Sequence, residues 1–297
     1  MKNLEGLKGC GTALVTPFTQ AGSLDEKALE SLVRWQIDQG IHFLVPCGTT
    51  GENPTMTHEE HLAVVDITVR TTAGRVPVIA GAGGNNTARL VPLIAELGQL
   101  GVDGILSVAP YYNKPTQEGL YRHYRALAES TDLPIIVYNV PGRTGVNILP
   151  ATLMRLAEIP NIAGVKEASG DVSQVGEICT LAPEGFRVLS GDDSMTLPLI
   201  ALGGHGVISV ASNEAPSMMA AFATDCLEGR WDDARAWNRR LYPLMKVNFV
   251  ESNPIPVKAA LAMMGRVEEV YRLPLSPISE GARSKVASVL SNLGLLD

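Results

Sequence analysis

The stretch Ile162-Ala163-Gly164-Val165-Lys166-Glu167 ends a short apolar run in an amine. Of the eight lysines, at positions 2, 8, 27, 114, 166, 246, 258 and 285, Lys166 is the one that closes an apolar run bounded by turn residues on both sides. A lysine at a strand end can lay its stem on apolar surface and keep its charge in water. Drawn inward instead, it loses solvation and its pKa falls, because the charged form is disfavoured. A neutral amine is a nucleophile toward carbonyl carbons and forms Schiff bases. Carbinolamine formation and dehydration also need a group that moves protons, and a phenol can do that. Tyr138, near the end of the run PIIVYNV (134–140), is such a phenol.

Alternation along a strand puts Ile162, Gly164 and Lys166 on one face, and Ile136 and Tyr138 on one face of the preceding strand. With both faces inward, amine and phenol share one mouth. Gly164, without a side chain, is expected to leave room below the lysine.

The elements that must hold these groups repeat along the chain. Short apolar runs occur at GTALVTP (11–17), HFLVPCG (42–48), VPVIAGA (76–82), GILSVAP (104–110), PIIVYNV (134–140), IAGVKEA (162–168), FRVLSGD (186–192) and GVISVAS (206–212), each bounded by Gly or Pro. Between them lie amphipathic stretches such as 24–40, where Leu29, Leu32, Val33 and Ile37 recur at helical spacing. Nearly all-apolar strands alternating with helices imply parallel strands covered on both faces. Eight such units predict an α/β protein, a (β/α)8 TIM barrel. A doubly wound sheet would want a glycine-rich phosphate turn after the first strand, and TPFTQAGS is a poor one. After residue 229 the pattern turns helical, so the division expected is 1–229 for the barrel and 230–297 for a small C-terminal helical extension.

In such barrels functional groups project from the carboxyl ends of the strands. That places Gly48-Thr49-Thr50-Gly51-Glu52, Tyr111-Tyr112-Asn113, Tyr138-Asn139, Lys166-Glu167 and Ser190-Gly191-Asp192 at one rim. His42 and His205 fall at strand starts, on the other rim. His58 and His61 open a helix without HExxH spacing, and the five histidines form no evident ligand cluster, so no metal is expected. Asp192-Asp193 suits helix capping better than a cation. Gly81-Ala82-Gly83-Gly84 lacks the spacing of a dinucleotide turn.

Composition narrows the partners. With 31 acidic against 24 basic side chains and 5% aromatics, nothing favours nucleic acid. The four cysteines are scattered, and no apolar run approaches the ~18 residues of a membrane span. The stretch MKNLEGLKGCGTALVTP has no long apolar h-region and no cleavage pattern, so no secretory signal is expected and a cytoplasmic location is the expectation.

The motifs GTTGE (48–52), PYYNKP (110–115), YNVPGRTG (138–145), GVKEASGD (164–171), LSGDD (189–193), GGHGVISV (203–210) and NPIPVKAAL (253–261) occur in order along nearly the whole chain. Together they resemble the dihydrodipicolinate synthase family, within the pyruvate-lysine class I aldolases. The resemblance implies condensation of pyruvate with L-aspartate 4-semialdehyde in lysine and diaminopimelate biosynthesis, without a cofactor. It implies a Schiff base on Lys166 and a proton relay of Tyr138, Thr49 and Tyr112, with Tyr112 reaching in from a neighbouring subunit. Thr50 and the backbone of Ile208 match pyruvate-binding positions. Arg143 matches the holder of the semialdehyde carboxylate, and Gly191 lies near the same pocket. A homotetramer, a dimer of dimers, is the implied assembly. His58, His61, Asn85 and Tyr111 match an allosteric lysine site, but Arg89 stands where lysine-sensitive members carry a glutamate, and Asn53-Pro54 alters the lining loop. Another pyruvate-dependent aldolase, of the sugar-acid or N-acetylneuraminate lyase type, is the alternative. A catalytically silent barrel is a third reading, opposed by the intact Lys166, Tyr138 and Thr49.

Overall fold

The computed structural model describes Leu4 and residues 6–296. Eight strands alternate with helices: β1 (Gly9–Ala13), α1 (Glu26–Asp38), β2 (Phe43–Val45), α2 (His58–Thr72), β3 (Ile79–Gly81), α3 (Thr87–Gln99), β4 (Gly104–Val108), α4 (Gln117–Ala128), β5 (Ile135–Asn139), α5 (Pro141–Thr144), α6 (Pro150–Ala157), β6 (Ile162–Glu167), α7 (Val172–Leu181), β7 (Arg187–Ser190), α8 (Thr196–Ala201), β8 (Gly206–Ser209) and α9 (Pro216–Leu227). Three further helices follow: α10 (Trp231–Val247), α11 (Ile255–Met263) and α12 (Glu280–Leu293).

All strand pairs are parallel, in the order β2-β1-β8-β7-β6-β5-β4-β3. A parallel bridge between Leu44 and Val78 joins the two ends, as do the hydrogen bonds from Leu44 N to Pro77 O (2.9 Å) and from Gly81 N to Pro46 O (2.9 Å). The eight apolar runs thus close into the expected barrel. Phe43, Val45, Ile79, Leu106, Ile136, Leu189 and Ile208 fill its interior, and Leu4 and Leu7 pack with them. The larger apolar layer lies between strands and helices. This double burial is why the strands are apolar on both faces.

Simple alternation fails at one point. Ile135 pairs with Ile162, but Ile136 pairs with Gly164, so Ala163 is an extra residue on β6. Ile162 therefore packs in the outer layer with Ile135, and does not share the face of Gly164 and Lys166. The bulge leaves the functional end in register: Tyr138 is opposite Lys166, and Asn139 opposite Glu167.

The C-terminal helices are tied to the barrel rim. Lys258 on α11 meets Glu52 at 2.6 Å, and both side chains are wholly buried. Arg272 bonds Glu60 at 2.5 and 2.6 Å, Gly22 O at 2.7 Å and Thr55 O at 3.0 Å, while stacking 4.1 Å over the Phe18 ring. The Arg272 guanidinium holds the Glu60 carboxyl down at about 2.

Candidate active site

The ends of β5 and β6 are set by a polar cluster on their outer face. Asn139 Nδ2 donates to Glu167 Oε2 (3.0 Å) and to Asn147 Oδ1 (2.8 Å), and Asn147 Nδ2 donates to Gln174 Oε1 (2.8 Å). The Ser169 amide donates to Glu167 Oε1 (2.6 Å). With Asn139 and Glu167 locked outward, their neighbours Tyr138 and Lys166 must point inward.

Lys166 is 5% exposed, and its Nζ lies 4.3 Å from the centre of the Tyr138 ring. Burial lowers its pKa to about 7; the Asp193 carboxylate opposes that shift and the Arg143 guanidinium reinforces it. Burial pushes the Tyr138 phenol up to about 12, against the pull of Arg143 and a hydrogen bond with Thr49. Near neutrality the site therefore holds an amine that can shed its proton beside a phenol that keeps its own.

Room for the lysine comes from Gly191, not Gly164. A Cβ on Gly191 would stand 3.0 Å from Lys166 Cε and 2.8 Å from Ala168 Cβ. A Cβ on Gly164 would instead strike the Arg187 carbonyl oxygen at 2.3 Å, so that glycine serves the close approach of β6 to β7.

The Gly48–Glu52 loop turns back on itself, with Gly51 N donating to Gly48 O at 3.1 Å and Glu52 N to Thr49 O at 3.2 Å. Glu52 holds a positive φ of 57°. Thr16 Oγ1 donates to Gly51 O (2.7 Å), and Asn253 Nδ2 donates to the buried Thr50 Oγ1 (3.0 Å). Thr49 and Tyr138 line one cavity together with Gly48, Asn53, Leu106 and Val108. Arg143 lies on the short helix α5, closed by Gly145 at φ +74°, and reaches Asn253 O at 3.5 Å. Ile208 is buried in the barrel interior on β8.

Tyr112 stands apart. It is 89% exposed with φ +73°, so this chain does not bring it to Lys166. The allosteric candidates divide. Asn85 Nδ2 donates to Tyr111 O (3.2 Å), whereas His58 pairs with Glu96 (2.7 Å) and His61 is buried against Gly81 O (2.9 Å). Arg89 is exposed on α3.

Asp192 caps the turn at 193–195 by accepting from Ser194 N (2.8 Å). Asp193 does something else. It is buried and accepts from Val210 N (3.0 Å) and Ala211 N (2.9 Å), which brings its charge toward Lys166. His42 and His205 accept from Cys10 N and Val188 N at the opposite rim. Among the described residues no group of three or more His, Cys, Asp or Glu could hold a metal, and no helix is long and apolar enough to cross a membrane.

Asn253 and Lys258 hold functional residues although their spacing assigned them no role, and Asp193, expected to cap a helix, instead accepts from the β8 end. Lys258 had a signal: it is the sole charge in the otherwise apolar helix IPVKAALAM.

A parallel eight-stranded barrel with a buried amine and a phenol side by side at its carboxyl rim defines a class of barrel proteins equipped for carbonyl chemistry. The chain matches the model of the Dihydrodipicolinate synthetase family over residues 6–293, and it belongs to that family. It is 54% identical to the 4-hydroxy-tetrahydrodipicolinate synthase of Koribacter versatilis, over 98% of this chain and 97% of that one. The dihydrodipicolinate synthase structure from Thermotoga maritima superposes with a TM-score of 0.96 at 48% identity, covering 98% of this chain and all of the other. The Acinetobacter baumannii dihydrodipicolinate synthase structure, complexed with pyruvate, gives a TM-score of 0.96 at 44% identity, covering 98% of this chain and 100% of that one.

Proposed function

We propose that the chain is a lyase with 4-hydroxy-tetrahydrodipicolinate synthase activity, condensing pyruvate with L-aspartate 4-semialdehyde. The observation that carries this reading is the pairing of Lys166 and Tyr138 in register, with the amine 4.3 Å from the phenol ring and its pKa brought to about 7.

The neutral Lys166 amine adds to the keto carbon of pyruvate. The carbinolamine then loses water, with Tyr138 supplying and recovering protons through Thr49. The protonated imine is an electron sink, so the methyl group gives up a proton and becomes an enamine. The enamine carbon forms a bond to the aldehyde carbon of the acceptor, the imine re-forms, and the aldehyde oxygen takes a proton from the Tyr138 relay to become a hydroxyl group. The acceptor's own amino group then attacks the imine carbon, closing the ring and releasing the lysine amine. Thr50 and the backbone of Ile208 hold the pyruvate, and Arg143 holds the acceptor carboxylate as a planar two-pronged donor. Gly191 keeps the lysine stem free of a neighbouring side chain. The route needs no metal or cofactor.

The exposure of Tyr112 supports a reading in which it completes the site of a second copy. The minimum active unit is then a dimer, and a homotetramer built from two such dimers is the proposed assembly. Of the expected division at residue 229, the described residues before it form the catalytic barrel and those from 230 to 296 an extension that braces its rim; residues 1–3, 5 and 297 lie outside the described residues.

An assay with pyruvate and a panel of aldehydes, including aspartate semialdehyde and N-acetylmannosamine, tests the function. Turnover with aspartate semialdehyde alone supports the synthase. Turnover with a sugar aldehyde and none with the semialdehyde places the chain among the other pyruvate aldolases.

A further inference from the structure

Asn253 touches both residues assigned to the two substrates. Its Nδ2 donates to Thr50 Oγ1 at 3.0 Å, and its carbonyl oxygen accepts from Arg143 Nη2 at 3.5 Å. The two side chains of the first bond are buried, Thr50 at 3% and Asn253 at 5% exposure. Asn253 is held in turn by its place five residues before Lys258, whose buried bond to Glu52 fixes the far end of the same Gly48–Glu52 loop.

The direction of the bond matters. A threonine hydroxyl has one proton to give and two lone pairs to offer, whereas the amide NH2 of asparagine only donates. Asn253 Nδ2 therefore occupies a lone pair of Thr50 Oγ1 and leaves the hydroxyl proton free to be given elsewhere. A carboxylate accepts only. A Thr50 hydroxyl committed to donating is thus matched to the carboxylate of an α-keto acid, and mismatched to a ligand that presents a donor there.

We propose that Asn253 is a positioning residue for the keto acid: it orients the Thr50 hydroxyl as a donor toward the substrate carboxylate. This rests on the assignment of Thr50 to pyruvate binding made above. Asn253→Asp is the sharpest variant. It keeps the shape of the side chain but turns the donor into an acceptor, so the Thr50 proton is drawn away from the substrate and a negative charge is placed beside its carboxylate.

The test is borohydride trapping at graded pyruvate concentrations, read as the mass of the reduced pyruvyl adduct, for the unaltered chain, Asn253→Ala, Asn253→Asp, Thr50→Val and the Asn253→Ala/Thr50→Val pair. Half-saturating pyruvate should rise about tenfold in Asn253→Ala, as for one lost hydrogen bond, and further in Asn253→Asp. In Asn253→Ala the loss should fall on half-saturation and far less on maximal trapping, because Asn253 touches Thr50 and not the reacting atoms. The double variant should be no worse than Thr50→Val, because Asn253 acts through that hydroxyl. Asn253→Asp should also narrow the preference for pyruvate over its uncharged methyl ester. Where Asn253→Ala does not fold, the isosteric Asn253→Asp carries the test by these same two readings. Additive losses in the double variant, or an unchanged half-saturation in Asn253→Asp, would overturn the proposal while leaving the function intact. No adduct with the unaltered chain would instead overturn the function, and this proposal with it.

Discussion

Lys166 and Tyr138 are register partners on adjacent strands, and the amine nitrogen stands 4.3 Å from the centre of the phenol ring. An ammonium over an aromatic face is favoured electrostatically, and Asp193 favours the charge as well. Burial outweighs both, since the net position is about 7. A surface lysine would be almost fully protonated at that pH. The pair is therefore built to free a lone pair on the lysine while the phenol stays protonated.

This sets a pH profile. Below pH 7 the amine is mostly protonated and unreactive; above it the neutral fraction saturates. The rate of Schiff-base formation with pyruvate should rise roughly eight- to tenfold between pH 6 and pH 8 and then level off. No fall should follow until the phenol ionises near pH 12. Stopped-flow or rapid-quench trapping across this range checks it. A rate that kept rising toward pH 10 would mean that the lysine is not depressed.

The exposed Tyr112 predicts complementation between chains. Tyr112→Phe and Lys166→Ala should each be inactive alone. After confirmed subunit exchange, a mixed dimer would hold one site with both intact groups, so activity should return to about a quarter of the unaltered level for statistical mixing at equal amounts. An exchanged mixture without regained activity contradicts a shared site.

The buried pair Glu52–Lys258 joins the Gly48–Glu52 loop to α11. Glu52→Gln or Lys258→Met alone strands a buried charge and should cost about 3–5 kcal/mol in urea denaturation. The double variant Glu52→Gln/Lys258→Met should recover most of that loss, because no charge is left unpaired. Single variants within ~1 kcal/mol of the unaltered chain would show that the pair is not the brace described above.

The sequence carried the barrel because each strand is a short apolar run closed by Gly or Pro, and eight repeats leave few alternatives. It carried Lys166 and Tyr138 because both polar groups end such runs. The bulge at Ala163 was not visible, since alanine fits either face and nothing in the local pattern marks an extra residue. Gly191, and not the expected Gly164, gives the lysine its room for a related reason: which glycine faces the lysine depends on how β6 approaches β7, a property of two strands and not of one. Asn253 and Lys258 lie about 200 residues from the loop they hold. Local spacing is silent about contacts of that range, although a lysine inside an apolar helix already demanded a buried partner.

Arg89 sets an expectation for regulation. It is exposed on α3, four residues after Asn85 in the chain, at the position where the resemblance places a glutamate in lysine-sensitive members. A cation there repels the ammonium of a lysine ligand. A lost or reversed charge contact of about 2–3 kcal/mol weakens binding roughly 30- to 150-fold. L-lysine should inhibit weakly or not at all in a titration of the assay, and Arg89→Glu should restore sensitivity. Strong inhibition of the unaltered chain below millimolar concentration would contradict this.

The central claim is that Lys166 becomes covalently bound to pyruvate. Incubation with pyruvate and borohydride, followed by peptide mass mapping, tests it directly. The expected result is loss of activity together with one reduced pyruvyl group on the peptide that carries Lys166, and no such adduct in Lys166→Arg, whose guanidinium stays protonated. An adduct on a different lysine, or full activity with no adduct at all, would contradict it.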